Sequence, residues 1–158
     1  MKKFELTSEF VTFLGKKLFR IKALVSFGDV KEGELGGLVE KEENLDQSGN
    51  AWVSGNAWVS GDARVYGDAR VYGNAWVSGD ARVQNCRDYS ATSCFGSENR
   101  TTTFFRTKDG GISVRCGCFY GTLAEFREKV KERHGGRRLA KEYLMLADLM
   151  EFRLSKDE

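Results

Sequence analysis

GNAWVS GNAWVS GDARVY GDARVY GNAWVS GDARVQ, running from Gly49 to Gln84, decides the fold. A unit of six residues buries only about two small side chains, so each must stack on its neighbours. Val53, Val59, Val65, Val71, Val77 and Val83 recur every six residues, each two places after an alanine (Ala51, Ala57, Ala63, Ala69, Ala75, Ala81). The pattern predicts valine and alanine facing inward: a β-branched valine suits an extended segment, and alanine fits a tight inner corner. Each unit opens on glycine followed by Asn or Asp, the residues that sharp turns favour. The chain has no proline, so every residue keeps an N–H for coil-to-coil hydrogen bonds.

This array resembles the left-handed parallel β-helix of the hexapeptide-repeat proteins, in which three hexapeptides make one triangular coil. The resemblance implies that residues 18 apart stack at about one strand spacing, roughly 4.8 Å. Trp58 then lies against Trp76, Trp52 against Arg70, and Arg64 against Arg82, while Ser54 meets Tyr72 and Tyr66 meets Gln84. Asp62 falls over Asp80 and needs Arg64 and Arg82 nearby to offset the repulsion. The faces become an indole ladder, a Trp/Arg stack and an arginine pair. These side chains either protect the strands or form an interface, since aromatics and arginine are enriched in buried contact patches. Family resemblance implies a trimer assembled through such faces.

Two coils make a stub about 10 Å long, whose open edges need covering. The expected organisation is an N-terminal β cap and leader (1–48), the repeat β-helix (49–85) and a C-terminal α+β module (86–158). In the first part, 10–14 and 18–24 read as strands around a Gly15-Lys-Lys17 hairpin, and the glycine-rich stretch 27–39 leads into the coils. Its glycine pairs lack the GK[ST] of a phosphate loop. The segment RIKALVSFGDVKEGELGGLVEKEENLDQSGNAWV resembles the opening of a group of phage and prophage β-helix proteins.

After Gln84 the period stops. A strand is predicted over 89–94, and a hairpin over 101–107 and 112–120 around Lys108-Asp-Gly-Gly111. Thr122-Leu-Ala-Glu125 is a capping box that starts a helix at Leu123, ended by Gly135-Gly136. A second helix spans about 137–154, with an apolar arc wide enough to pack on two sides. TTTFFRTKDGGISVRCGCFYGTLAEFREKVKERHGG resembles a module that follows such repeats in phage proteins. The fold class is therefore mainly β, a short left-handed parallel β-helix with a β cap before it and a hairpin plus two helices after it.

The 158 residues carry a net charge of +2 and no apolar run long enough for a membrane span. Without a secretory leader the chain is expected in the cytoplasm, the host's if a phage encodes it. Basic residues cluster over 127–141, but Glu128 and Glu132 are interleaved, which reads as a solvated face rather than a nucleic-acid stripe. Cys86, Cys94, Cys116, Cys118 and His134 lack zinc-site spacing. Strand alternation instead puts Cys116 and Cys118 on one face as small core side chains. No metal and no cofactor are expected.

Many hexapeptide-repeat proteins are acyltransferases with a coil histidine as general base, yet these coils contain none, and His134 sits at a helix end. Asp62, Asp68 and Asp80 occupy the turn position, where a short polar side chain serves structure. The expectation is a non-enzymatic phage accessory protein, a homotrimer that binds, blocks or sequesters a host anti-phage defence component. That component is a host protein or a small nucleotide-like signal. The expected binding residues are Trp52, Trp58, Arg64, Tyr66, Arg70, Tyr72, Trp76 and Arg82, because indoles stack on bases and arginines fork to phosphates or carboxylates. In one alternative the repeats only assemble, and the C-terminal module binds through Phe104, Arg106, Arg115 and Phe119. An acyltransferase-like enzyme is the other.

Overall fold

The computed structural model describes residues 2–95 and 100–155, without the side chains of residues 94, 95 and 100; the Cys94 thiol therefore lies outside it. Strands β1 (Phe4–Phe13) and β2 (Lys16–Ala23) form an antiparallel hairpin. Its turn is Leu14-Gly15, with φ of 52° and 78°, rather than Gly15 to Lys17. Positive φ at both central residues matches the right-handed twist of the flanking strands, a geometry usually built with Asn-Gly. Strand β3 (Leu35–Val39) continues the sheet on β2.

The hexapeptides give six two-residue strands: β4 (Trp52–Val53), β5 (Trp58–Val59), β6 (Arg64–Val65), β7 (Arg70–Val71), β8 (Trp76–Val77) and β9 (Arg82–Val83). They pair in parallel with an 18-residue offset, Trp52 with Arg70, Trp58 with Trp76 and Arg64 with Arg82. All six valines and six alanines are buried in one cluster. Backbone crowding explains the glycines at the corners. At Gly61 (φ 64°) a Cβ would stand 3.1 Å from the Gly79 amide nitrogen.

The coil register begins before the first hexapeptide. Leu38 and Val39 pair in parallel with Trp58 and Val59, and Leu45 bridges to Val65, an offset of 20 residues. Val39 and Leu45, six apart, are buried as the repeat valines are. Where this partial coil departs from strand geometry, side chains replace backbone. Asn44 is fully buried and donates to the Gly61 and Ala63 carbonyls while accepting from the Glu40 and Lys41 amides. The Lys3 ammonium donates to Ala51 O at 2.7 Å.

Strands β10 (Tyr89–Phe95), β11 (Arg100–Arg106), β12 (Ile112–Cys116) and β13 (Phe119–Thr122) make an antiparallel sheet in that order. Helices α1 (Leu123–His134) and α2 (Arg138–Leu154) follow, with the Thr122/Glu125 capping box formed. Alternation along β11 serves two cores. Phe105 is buried with the coil valines, and Phe104 is buried among the helices against Phe126. The continuous strand expected through 120 is broken by a two-residue turn at Gly117-Cys118, with Gly117 at φ 60°. Cys118 is consequently exposed and Cys116 half-buried, so the two thiols are not core neighbours on one strand face. Among the described residues no helix is long and apolar enough to cross a membrane.

Candidate functional site

The face carrying β3, β5 and β8 becomes a groove of about 540 Å³. The 18-residue register sets Trp58 against Trp76, but the rings meet edge-to-face (centroids 4.9 Å apart, 72°) rather than as a parallel ladder. Phe13, at the end of β1, joins both indoles at 5.3 and 5.0 Å. Such offset aromatic contacts favour the ring quadrupoles and hold the groove wall in shape. The Trp76 indole N–H donates to Ser60 Oγ, and its backbone N–H donates to Thr103 Oγ1 on β11. Asn56 and Asn74 place amide groups on the rim.

Two arginines reach the groove from outside the repeats. Arg20 on β2 bonds the Gly36 and Gly55 carbonyls and pairs with Glu9 at 3.2 Å. Arg115 follows buried Val114 on β12 and so faces the other way, toward the solenoid. Its guanidinium lies 3.7 Å from the Trp76 ring centroid. Burial works against its positive charge, with Cys118 and Tyr120 opposing that effect. Its Nε is buried with no hydrogen-bond partner. An unpaired buried N–H on a desolvated cation favours an anionic acceptor, because leaving such a donor unmet costs about 1–3 kcal/mol.

The remaining candidates separate. Trp52 faces out of its coil but is 1% exposed, because Phe27 packs on it at 5.4 Å and the glycine at 36 admits the ring edge. Arg70, beside it, is paired with Asp29. Tyr72 is open to solvent, away from the groove lining. Arg64, Tyr66 and Arg82 line a second cleft of about 520 Å³ that also holds Glu42, Glu43 and Asp46, so its charge is mixed. Asp62 is held below the ordinary carboxylate range chiefly by the Lys41 ammonium at 2.9 Å; Arg82 and Arg64 contribute less. In the C-terminal module Phe104 is fully buried and Phe119 packs on Phe126. Arg106 pairs with Asp88 and donates to the Leu154 and Ser155 carbonyls, tying α2 to the sheet. Trp52 and Phe104 thus leave the set of surface residues, each covered by its own chain.

Trp58 and Trp76 come from one sequence-derived set and Arg115 from the other, and the structure brings them into one groove. Phe13 and Arg20 were missed. The only signal for them was that an aromatic, β-branched hairpin needs a surface to cover. Among the described residues no group of three or more His, Cys, Asp or Glu side chains is placed to hold a metal ion. His134 stacks on Tyr143, 5.7 Å away at the end of α1.

The parallel pairing, the repeated buried valines and the glycine corners define a β-solenoid repeat protein. Residues 63–79 match the family model described as the YdcK beta solenoid repeat. No curated protein matches the chain.

Proposed function

We propose that this protein is a non-enzymatic, phage-encoded accessory protein that captures a small nucleotide-like anion in the Trp58–Trp76–Arg115 groove and withholds it from host defence. In this reading the solenoid is left-handed, the flanking segments cap it, and the chain works as a homotrimer in the host cytoplasm. The observation that carries the binding proposal is Arg115, a half-buried cation on the Trp76 face whose Nε has no partner. A phosphate in the groove would pair with the positive charge of the Arg115 guanidinium, with Arg20, itself paired with Glu9, on the same lining. The rim amides of Asn56 and Asn74 offer donors and acceptors to a base edge, and the exposed aromatic edges offer it apolar contact.

The experiment is a thermal-shift panel of cyclic dinucleotides, ADP-ribose derivatives and acyl-CoA on the intact chain and on Arg115→Ala. One nucleotide class should raise Tm in the parent and not in the variant; at a hundredfold excess over Kd the stabilisation is about 2.7 kcal/mol. A response to acyl-CoA alone, with turnover, would replace this reading by a transferase. If nothing shifts Tm, nucleotide capture fails.

A further inference from the structure

The basic run over 127–141 reads from sequence as a solvated face because acids interrupt it. In the fold those acids are taken up locally, Glu128 by Lys131 and Glu132 by Lys129 on α1. Arg133, Arg137, Arg138 and Lys141, gathered where α1 turns into α2, are exposed, and among the described residues none of them forms an ion pair.

On α2 the same surface continues as an apolar one. Met145, Leu149 and Phe152 are 71%, 55% and 83% exposed. With Arg138 and Lys141 they fall at steps of three and four residues, so the five share one stripe about 21 Å long. The helix's other side is buried through Ala140, Tyr143, Ala147 and Met150. The flanking carboxylates do not offset the basic end. Asp148 and Glu151 are held by Arg127 at 2.8 and 2.7 Å, and Glu142 is half-buried. Arg153, on the far flank, makes a long 3.5 Å bond to Cys86 O.

Unpaired cations in line with large exposed apolar side chains match few surfaces. Nucleic acid offers phosphates but no apolar seat for methionine and leucine, and the cores of protein interfaces are depleted in lysine. An anionic bilayer offers both, phosphates at its surface and acyl chains about 5–10 Å below. We propose that α2 docks the protein on an anionic phospholipid surface, the helix lying in the plane of the headgroups. Met145, Leu149 and Phe152 enter the acyl boundary, while Arg133, Arg137, Arg138 and Lys141 meet lipid phosphates. Three inserted side chains make a peripheral, reversible contact. Docking through α2 needs neither the groove nor its ligand.

Co-sedimentation of the intact chain with vesicles tests this, comparing phosphatidylcholine alone with two parts phosphatidylcholine to one part phosphatidylglycerol. The chain should pellet with the mixed vesicles, stay in solution with phosphatidylcholine alone, and be released as salt screens the headgroups. Arg138→Gln with Lys141→Gln should weaken binding about 25-fold, about fivefold for each cation lost near the surface. Leu149→Ser with Phe152→Ser should also lose binding although every cation remains, a loss that charge attraction alone would not give. All four side chains are exposed, so both variants should keep the parent's helical ellipticity. No pelleting with the mixed vesicles, equal pelleting with phosphatidylcholine alone, or unchanged binding by the Leu149/Phe152 variant would overturn the proposal. Retention on duplex DNA in place of the mixed vesicles would overturn it in favour of nucleic acid.

Discussion

At its leader end the solenoid satisfies outward carbonyls with single side chains, Asn44 and Lys3, whereas at its other end a whole strand, β11, lies across the coil. Both ends present backbone groups that a further coil would have paired. The leader end solves this by imitation, a partial coil with polar side chains standing in for missing amides. The far end uses a separate sheet, which adds the Phe105 ring to the coil interior and supplies Thr103 Oγ1 as an acceptor, and the Asp88 carboxylate just before that sheet accepts from Gln84 N. The first solution is local in sequence. The second joins the solenoid to the helices, because neighbouring residues of β11 belong to different cores.

The largest expected effect attacks that junction. Phe105→Ala and Phe104→Ala each remove a fully buried ring and should cost about 3–5 kcal/mol. Since β11 serves both cores, tryptophan fluorescence (the solenoid) and ellipticity at the helical band (α1 and α2) should lose signal together in denaturant for both variants. If Phe105→Ala shifts only the fluorescence transition, the ends are energetically independent and the junction is merely geometric.

At the leader end the corresponding change is Asn44→Ala. It removes a fully buried amide making four hydrogen bonds and leaves the Gly61 and Ala63 carbonyls unmet. The expected loss is about 3 kcal/mol, read from urea unfolding. Asn44→Asp, which keeps the acceptor but loses the two donors, should be nearly as damaging. A loss well below 1 kcal/mol for both would mean that water replaces the amide and that imitation of a coil is not what stabilises this end.

These ends also mark where the sequence stops being legible. The hexapeptides announce parallel coils and their register because each position repeats a single constraint, small or β-branched inside, glycine at the corner. The earlier partial coil keeps the six-residue spacing only at Val39 and Leu45, and its offset of 20 hides it from a search at 18. The outward faces were readable in register but not in exposure. Whether Trp52 or Trp58 meets solvent depends on where Phe27 and the hairpin fold back, long-range contacts that no local spacing encodes. Arg115 was named only as one member of the alternative C-terminal set, and its place on Trp76 follows from β11 lying across the coil.

The hairpin sharpens the comparison by testing a site that neither end requires. Leu14→Gly relieves the left-handed strain at 52° and removes little buried surface, so the single chain should gain about 1 kcal/mol, seen as a higher urea midpoint with unchanged slope. A destabilised variant would show that the turn geometry or the leucine contact differs from this account.

The smallest effect is a pH dependence at the leader end. Lys3 is 4% exposed, and burial lowers its pKa from 10.5 to about 8, with Asp46 opposing the shift and Arg70 adding to it. Below about pH 8 the ammonium is protonated both folded and unfolded, so its burial penalty is constant. Between about 8 and 10.5 the unfolded chain still holds the proton that the native state has released, and stability must therefore rise with pH. Contacts of the charged form with Ala51 O and the Phe27 ring limit the gain, which should be on the order of 1 kcal/mol. Other groups titrate in the same window, so the quantity to measure is the urea-derived stability of the parent minus that of Lys3→Met. That difference should climb from pH 7.5 to 10.5. A flat difference would mean that the ammonium is hydrated in the folded chain and that the Gly49 and Ala51 carbonyls at this end are served by water, leaving Asn44 alone to imitate the missing coil.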